Sequence, residues 1–287
     1  MQQKGIHWFP GHMQKALRQI EERIKVIDII IEIVDARIPY SSRNPYLKDL
    51  ATHKKRLIIL AKKDLANEEE TKKWIEFLTK DGQMALALDL TNPKSDQEIK
   101  RAIEFLGKDK WEKDKRRGLK PQPLKTMIIG IPNVGKSTLI NRLARRSAAS
   151  VQNTPGHTRS QQWIKVDKLF ELLDTPGILP TYYENNESAV LLAWIGSIKE
   201  DILPLSELAD KLLTYIRENA LSAIINRYKI EINESDLNED IFKKIAEVRG
   251  FLSIGHLDIE KAERVLLKEF KDGTLGRYTL EKSDENA

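Results

Sequence analysis

The spacing of apolar and polar residues changes several times along the chain, and each change predicts an element. Residues 26–35 are rich in β-branched side chains and lack helical spacing, which predicts a buried strand. Residues 56–61 predict a second strand and residues 84–88 a weaker third. Between them, apolar residues recur at helical spacing around 44–53 and 68–80. Strands alternating with helices imply βαβ units and a mainly parallel sheet. Residues 125–129 predict a further strand that runs into a Gly-rich turn and a helix from about Lys136 to Arg146. Residues 162–166 and 169–173 read as a hairpin around Asp167-Lys168.

Beyond about Tyr183 the strand pattern fades. Leu208, Leu212, Leu213 and Ile216 share one helical face. So do Ile241, Phe242, Ile245 and Val248, and then Ile259, Ala262, Val265, Leu266 and Phe270. Asp258 is placed to cap the last helix and Gly273 to end it. The fold class expected is α/β, with an N-terminal domain over 1–182 and an all-helical domain over 188–280. Residues 281–287 are expected to be a frayed tail.

The length of 287 residues suits one large domain or two smaller ones, and 40 % hydrophobic residues can bury a sizeable core. The chain has no cysteine, which excludes disulfides, thiolate metal sites and a cysteine nucleophile. No apolar run approaches the ~18 residues of a membrane span. The start shows no basic region leading into an apolar one, so a soluble cytoplasmic protein is the expectation. The net charge is +5, and residues 108–125 alone carry it, with eight basic residues against three acidic ones. Such a segment is either a footprint for a polyanion or a solvated linker.

Gly130-Ile-Pro-Asn-Val-Gly-Lys-Ser137 fits G-x-x-x-x-G-K-[ST], with a predicted strand before it and a helix after it. In such a loop the backbone N–H groups of Asn133, Val134, Gly135, Lys136, Ser137 and Thr138 can face phosphate oxygens at a helix N-terminus. Lys136 would neutralise β- and γ-phosphate charge, and the Ser137 hydroxyl would ligate Mg²⁺. Asp174-Thr-Pro-Gly177 ends an apolar strand. Asp174 there can hold Mg²⁺ through water, and Gly177 offers an N–H to a γ-phosphate. The polar segment 150–159 lies between these motifs, and its Thr158, or alternatively Thr154, is the candidate to reach the metal.

Ala61-Lys-Lys-Asp64 follows the second predicted strand and is similar to the N-K-x-D element of GTPases. Lys62 would pack its stem over a base, and the Asp64 carboxylate would accept both N1–H and N2–H of guanine, a donor pair that adenine lacks. Here the base element precedes the phosphate loop. That order, together with Trp8-Phe-Pro-Gly-His-Met13, Asp35-Ala-Arg-Ile-Pro39, PNVGKSTLIN and DTPG, resembles the circularly permuted GTPases, and in particular the ribosome biogenesis GTPase A (YlqF-type) family. The resemblance spans most of the chain and is loosest in the helical domain. It implies a GTPase that binds GTP and GDP and helps mature the large ribosomal subunit by binding rRNA. It also implies a water-positioning role for His12. Asn133 either stabilises its own turn or, as in related GTPases, ligates K⁺. The alternatives are a permuted GTPase acting in tRNA modification or signalling, or a P-loop kinase of small molecules.

Three positions depart from the usual GTPase pattern. The asparagine of N-K-x-D is Ala61, and residues 88–90 match poorly the element that backs the base. Ile178 stands where many GTPases have a water-orienting glutamine. A polar group from elsewhere is therefore needed; His12 is the choice, with His157 beside Thr158 as its rival, and His53 and His256 read as surface or packing residues.

Overall fold

The structure, a computed structural model, describes residues 11–80, 82–148, 163–166, 168–180, 186–198 and 204–284. Helix α1 (Gly11–Ile24) leads into β1 (Ile29–Asp35), then α2 (Pro45–Leu50), β2 (Lys55–Ala61), α3 (Glu68–Thr79), β3 (Met84–Leu88), α4 (Ser95–Arg116), β4 (Leu124–Ile129) and α5 (Lys136–Ala148). The hairpin strands β5 (Trp163–Lys165) and β6 (Phe170–Leu173) follow, and then α6 (Asn186–Trp194), α7 (Leu205–Tyr228), α8 (Asn238–Arg249), a two-residue pair β7 (Leu252–Ser253) and β8 (His256–Leu257), and α9 (Ile259–Lys271).

One sheet has the order β3-β2-β1-β4-β6-β5, parallel except for β5, which pairs antiparallel with β6. Every residue of β1 is buried, as expected of a central strand covered on both faces. The two charges within it are paired. Glu32 accepts from Arg43 through two 2.9 Å bonds, and Asp35 is held by Arg37. The strand starts later than its apolar run suggests, because Val26 and Ile27 close a turn onto Arg23 and Ile24 after α1. From β1 the chain runs outward through β2 to β3, and from β4 it runs the other way to β6. The order thus reverses between β1 and β4, and ligands of open α/β sheets bind at the strand C-terminal ends beside such a reversal.

Helix α4 corrects the linker reading of the basic segment. Ile99, Ala102, Ile103 and Gly107 form its buried stripe, and the helix runs on through Lys108–Glu112 to Arg116. At Gly107 a Cβ would run into Leu124 Cδ1, so glycine lets α4 close on β4. Lys110 pairs with Asp28 and Lys55 with Asp109, while Lys113, Lys115, Arg116, Arg117 and Lys120 are exposed.

The described residues fall into two compact units, one made of 11–180 with 279–284 and the other of 186–278. In the second, Leu208, Leu212, Leu213, Ile216, Ile241, Phe242, Ile245, Ala262, Leu266 and Phe270 form the core. Val248 departs from its expected face. It is exposed, because the buried stripe of α8 ends at Ala246 and the helix stops three residues later before left-handed Gly250. The short β7–β8 pair was also unforeseen, since two residues per strand are too few to register a period. Asp258 caps α9, accepting from Lys261 N, and Gly273 follows it with φ +75°. The frayed-tail reading fails at Glu281, whose carboxylate is buried and hydrogen-bonded into the α/β unit just after Thr279 and Leu280, which are also bonded there. No helix among the described residues is long and apolar enough to cross a membrane.

Candidate functional site

The site lies at the C-terminal ends of β1, β2, β4 and β6, all within the first unit. The loop after β4 contains Asn133 in the left-handed region (φ +60°) and Gly135 at φ +113°. These two inversions curl the backbone just before α5, which begins at Lys136. Val134 is buried and anchors the loop, while Asn133, Ser137 and Thr138 are exposed. Lys136 is buried, and its Nζ donates to Ile131 O at 2.6 Å. Burial pushes its ammonium down to about 8, with the Asp174 charge working against that fall. Asp174 is raised for the same reason, partly offset by Lys136 and by the Thr175 N–H.

Residues 174–178 are fastened to the phosphate loop. Thr175 Oγ1 donates to Ile128 O, and Ile178 N donates to Gly130 O at 3.3 Å. A Cβ on Gly177 would lie 2.8 Å from Pro132 N and Cα and 2.9 Å from Lys136 Nζ. Only glycine brings this backbone so close to the loop. Ile178 is fully buried and its carbonyl accepts from Asn44 Nδ2 at 3.0 Å, so its side chain packs rather than meeting water.

On the base side, β2 ends at buried Ala61, and Lys62 takes a left-handed conformation (φ +58°) that opens a 3₁₀ turn, Lys63–Leu65. Lys62 Nζ pairs with Asp35 Oδ2 at 3.0 Å. Arg37 Nε and Nη2 bind both oxygens of the same carboxylate at 2.9 Å. Burial alone would raise Asp35, but Arg37 and Lys62 outweigh it and hold the carboxyl at about 2. Asp64 is exposed in the 3₁₀ turn. A Cβ on Gly135 would meet Leu90 Cδ1 at 3.0 Å and Ala61 Cβ at 3.8 Å, so the ends of β2 and β3 abut the phosphate loop. Arg142 of α5 secures that contact, donating to Leu90 O at 2.8 Å and pairing with Asp96.

The structure thus gathers Asn133, Val134, Gly135, Lys136, Ser137, Thr138, Asp174 and Gly177 on one side of the reversal and Lys62 and Asp64 on the other. His12 falls in the first turn of α1, and its side chain lies outside the described part. Thr158, Thr154 and His157 lie outside the described residues. His53 and His256 are exposed. Sequence reasoning missed the supporting roles of Asp35, Arg37, Asn44, Arg142 and Glu281. Only the Asp35-Ala-Arg37 motif carried any signal.

A donor set of Ser137 hydroxyl and Asp174 carboxylate fits Mg²⁺, a hard cation that takes few protein oxygens beside phosphates. Asp174, raised by burial, is a carboxylate that a cation would stabilise.

Sheet order, phosphate loop and base element define a P-loop GTPase in circularly permuted order. The family model described as "50S ribosome-binding GTPase" matches residues 125–246. Over nearly its full length the chain is similar to "Ribosome biogenesis GTPase A" of Bacillus cereus, at 42 % identity over 98 % of this chain and 95 % of that one. The protein of the same name from Bacillus licheniformis is 41 % identical, over 98 % and 99 %. The solved GNP-bound YlqF from T. maritima aligns with a TM-score of 0.62 and 27 % identity, covering 94 % of this chain and 99 % of that one. The chain belongs to the ribosome biogenesis GTPase A family, and it is a GTPase.

Proposed function

We propose that this GTPase is an assembly factor of the large ribosomal subunit that acts in the cytoplasm and binds rRNA in a nucleotide-dependent way. The observation that carries the reading is the meeting of two half-sites on one sheet edge, Lys136 with Asp174 and Gly177 on one side and Lys62 with Asp64 on the other. The names of the relatives supply the ribosomal context. The exposed cations at the end of α4, Lys113 to Lys120, suit contact with RNA phosphates, and the helical unit is the second candidate surface. Cosedimentation with large subunits tests this. Retention that rises with a non-hydrolysable GTP analogue supports it; equal retention with GDP, or none, overturns it.

In this reading the N–H groups of 133–138 and the Lys136 ammonium hold the β- and γ-phosphates. On binding, Lys136 exchanges its Ile131 carbonyl partner for phosphate oxygens. Ser137, Asp174 and Thr158 would hold Mg²⁺, which would supply positive charge against the developing phosphate charge. Asn133 offers an amide oxygen to K⁺. Gly177 donates its N–H to the γ-phosphate, and Asp64 reads guanine.

Water must be oriented by a group other than buried Ile178. We assign that task to His12. His12→Ala should cut subunit-stimulated kcat by about 10²-fold and leave GDP affinity nearly intact. Collapse in His157→Ala, with His12→Ala active, would give the role to His157.

A further inference from the structure

Residues 279–284 belong to the α/β unit although the whole helical unit separates them from it in sequence. Glu281 is buried, and its carboxylate reaches into the loop after β1. Its Oε2 accepts from Tyr40 N at 2.7 Å and its Oε1 from Ser41 N at 3.0 Å. Leu280 N donates to Arg37 O at 2.8 Å in the same loop. On the other side, Glu281 O accepts from Trp74 Nε1 at 2.9 Å, and Thr279 Oγ1 accepts from Asn67 N at 3.1 Å. Asn67 caps α3 and stands three residues after Asp64. The tail therefore ties together the two segments that flank the base element.

An apolar side chain would suffice to anchor such a segment. A buried carboxylate is costly unless its oxygens are satisfied, and here they are satisfied by consecutive backbone N–H groups of an irregular loop. Such charge-assisted bonds add to the loop's own, Asp35 N to Ser42 Oγ and Ser42 N to Ile38 O, in fixing its conformation. That conformation matters to the site, because the loop carries Arg37, Arg37 orients Asp35, and Asp35 holds Lys62. At the start of the base element Ala61 lacks the amide of an N-K-x-D asparagine, and the same loop meets it through its backbone, Ala36 N donating to Ala61 O at 2.9 Å.

We infer that Glu281 is a positioning residue for guanine recognition, acting through Arg37 and Asp35 on Lys62 and through Asn67 on the turn that carries Asp64. The inference rests on the reading of Lys62 and Asp64 as the base-binding pair. The base half of the site is thus completed by residues 279–281.

Calorimetry on the full chain tests it with three ligands: GDP, ADP and tripolyphosphate. Glu281→Ala should weaken GDP binding at least about tenfold, and leave tripolyphosphate affinity within about twofold. Glu281→Gln, which keeps the shape and one acceptor oxygen but loses the charge and the second acceptor, should fall between, and it carries the test if Glu281→Ala does not fold. Unchanged GDP affinity overturns the inference. So does a parallel loss of GDP and tripolyphosphate, which would mark a general loosening of the fold. A wild-type chain that binds ADP as well as GDP overturns the base-pair reading and this inference with it. Wild-type guanine preference that survives intact in both Glu281 variants overturns this inference alone.

Discussion

The phosphate half and the base half of the site solve the same problem by different means. Around Gly130–Ser137 and Asp174–Gly177, recognition is built from backbone: two left-handed residues, a glycine that a Cβ would drive into Pro132, and a helix N-terminus. Around Lys62 and Asp64 it is built from side chains, and these are held by Asp35, Arg37, Asn67 and Glu281. A backbone cradle is local, so a short motif specifies it. A side-chain reader needs partners, and those partners come from distant parts of the chain. The contrast also explains how the base element tolerates Ala61: its loop is braced from the opposite side, by an ion pair to β1.

Four substitutions can break or sharpen this contrast. The largest effect is expected from Lys136→Ala, which removes the cation of the backbone cradle and should lower kcat/KM for GTP by 10²-fold or more in steady-state assays. Because burial holds Lys136 at about 8, wild-type GDP affinity should also weaken as pH rises above that value, by up to about one decade per pH unit, since binding then requires proton uptake. Asp64→Asn comes next. It should cost GDP roughly 10²-fold by calorimetry and shift preference toward xanthosine nucleotides, with tripolyphosphate unaffected. GDP and ATP binding equally well to the wild type would break the comparison outright.

Asp35→Asn should weaken GDP about tenfold and lower stability by roughly 3 kcal/mol in urea titrations, because it leaves Arg37 and Lys62 without their shared carboxylate. The sign of its pH dependence is set by a folded value of about 2 against the ordinary 3.8. The stabilisation is fully present above about pH 4 and is lost as pH falls toward 2, an amount of about 2 kcal/mol. Acid melts of wild type and Asp35→Asn should therefore converge at low pH. The smallest effect belongs to Ala61→Asn, which restores an amide beside Gly135. It should tighten GDP by about 1 kcal/mol, some three- to tenfold. Looser binding would mean that the fully buried Ala61 site has no room for the larger side chain.

How much of this was legible in the sequence follows the same division. The strands β1 to β4, the β5–β6 hairpin and the phosphate loop are local patterns, and their residues read directly as what they form. Helix α4 was hidden because its buried stripe ends at Gly107 and its remaining turns are charged, so residues 108–125 read as either a polyanion footprint or a solvated linker. The roles of Asp35 and Arg37 were visible only as a motif of the resembling family, and Glu281 gave no signal at all. A glutamate in a polar, charged stretch is ordinary in composition, and its meaning lies in Tyr40 and Ser41, some 240 positions earlier.

That separation has a consequence for synthesis. The chain is made from its N-terminus, and contacts between its first and last quarters can form only after the intervening residues exist. The phosphate loop has its flanking strand and helix once residue 148 has been made. The bonds from Glu281 to Tyr40, Ser41 and Trp74 must wait until residue 281 has been made. An interrupted translation product that stops within the helical unit would carry an intact phosphate cradle and an unbraced base loop, and would bind phosphates with little choice among bases. Selectivity for guanine would then appear only after residue 281 has been made.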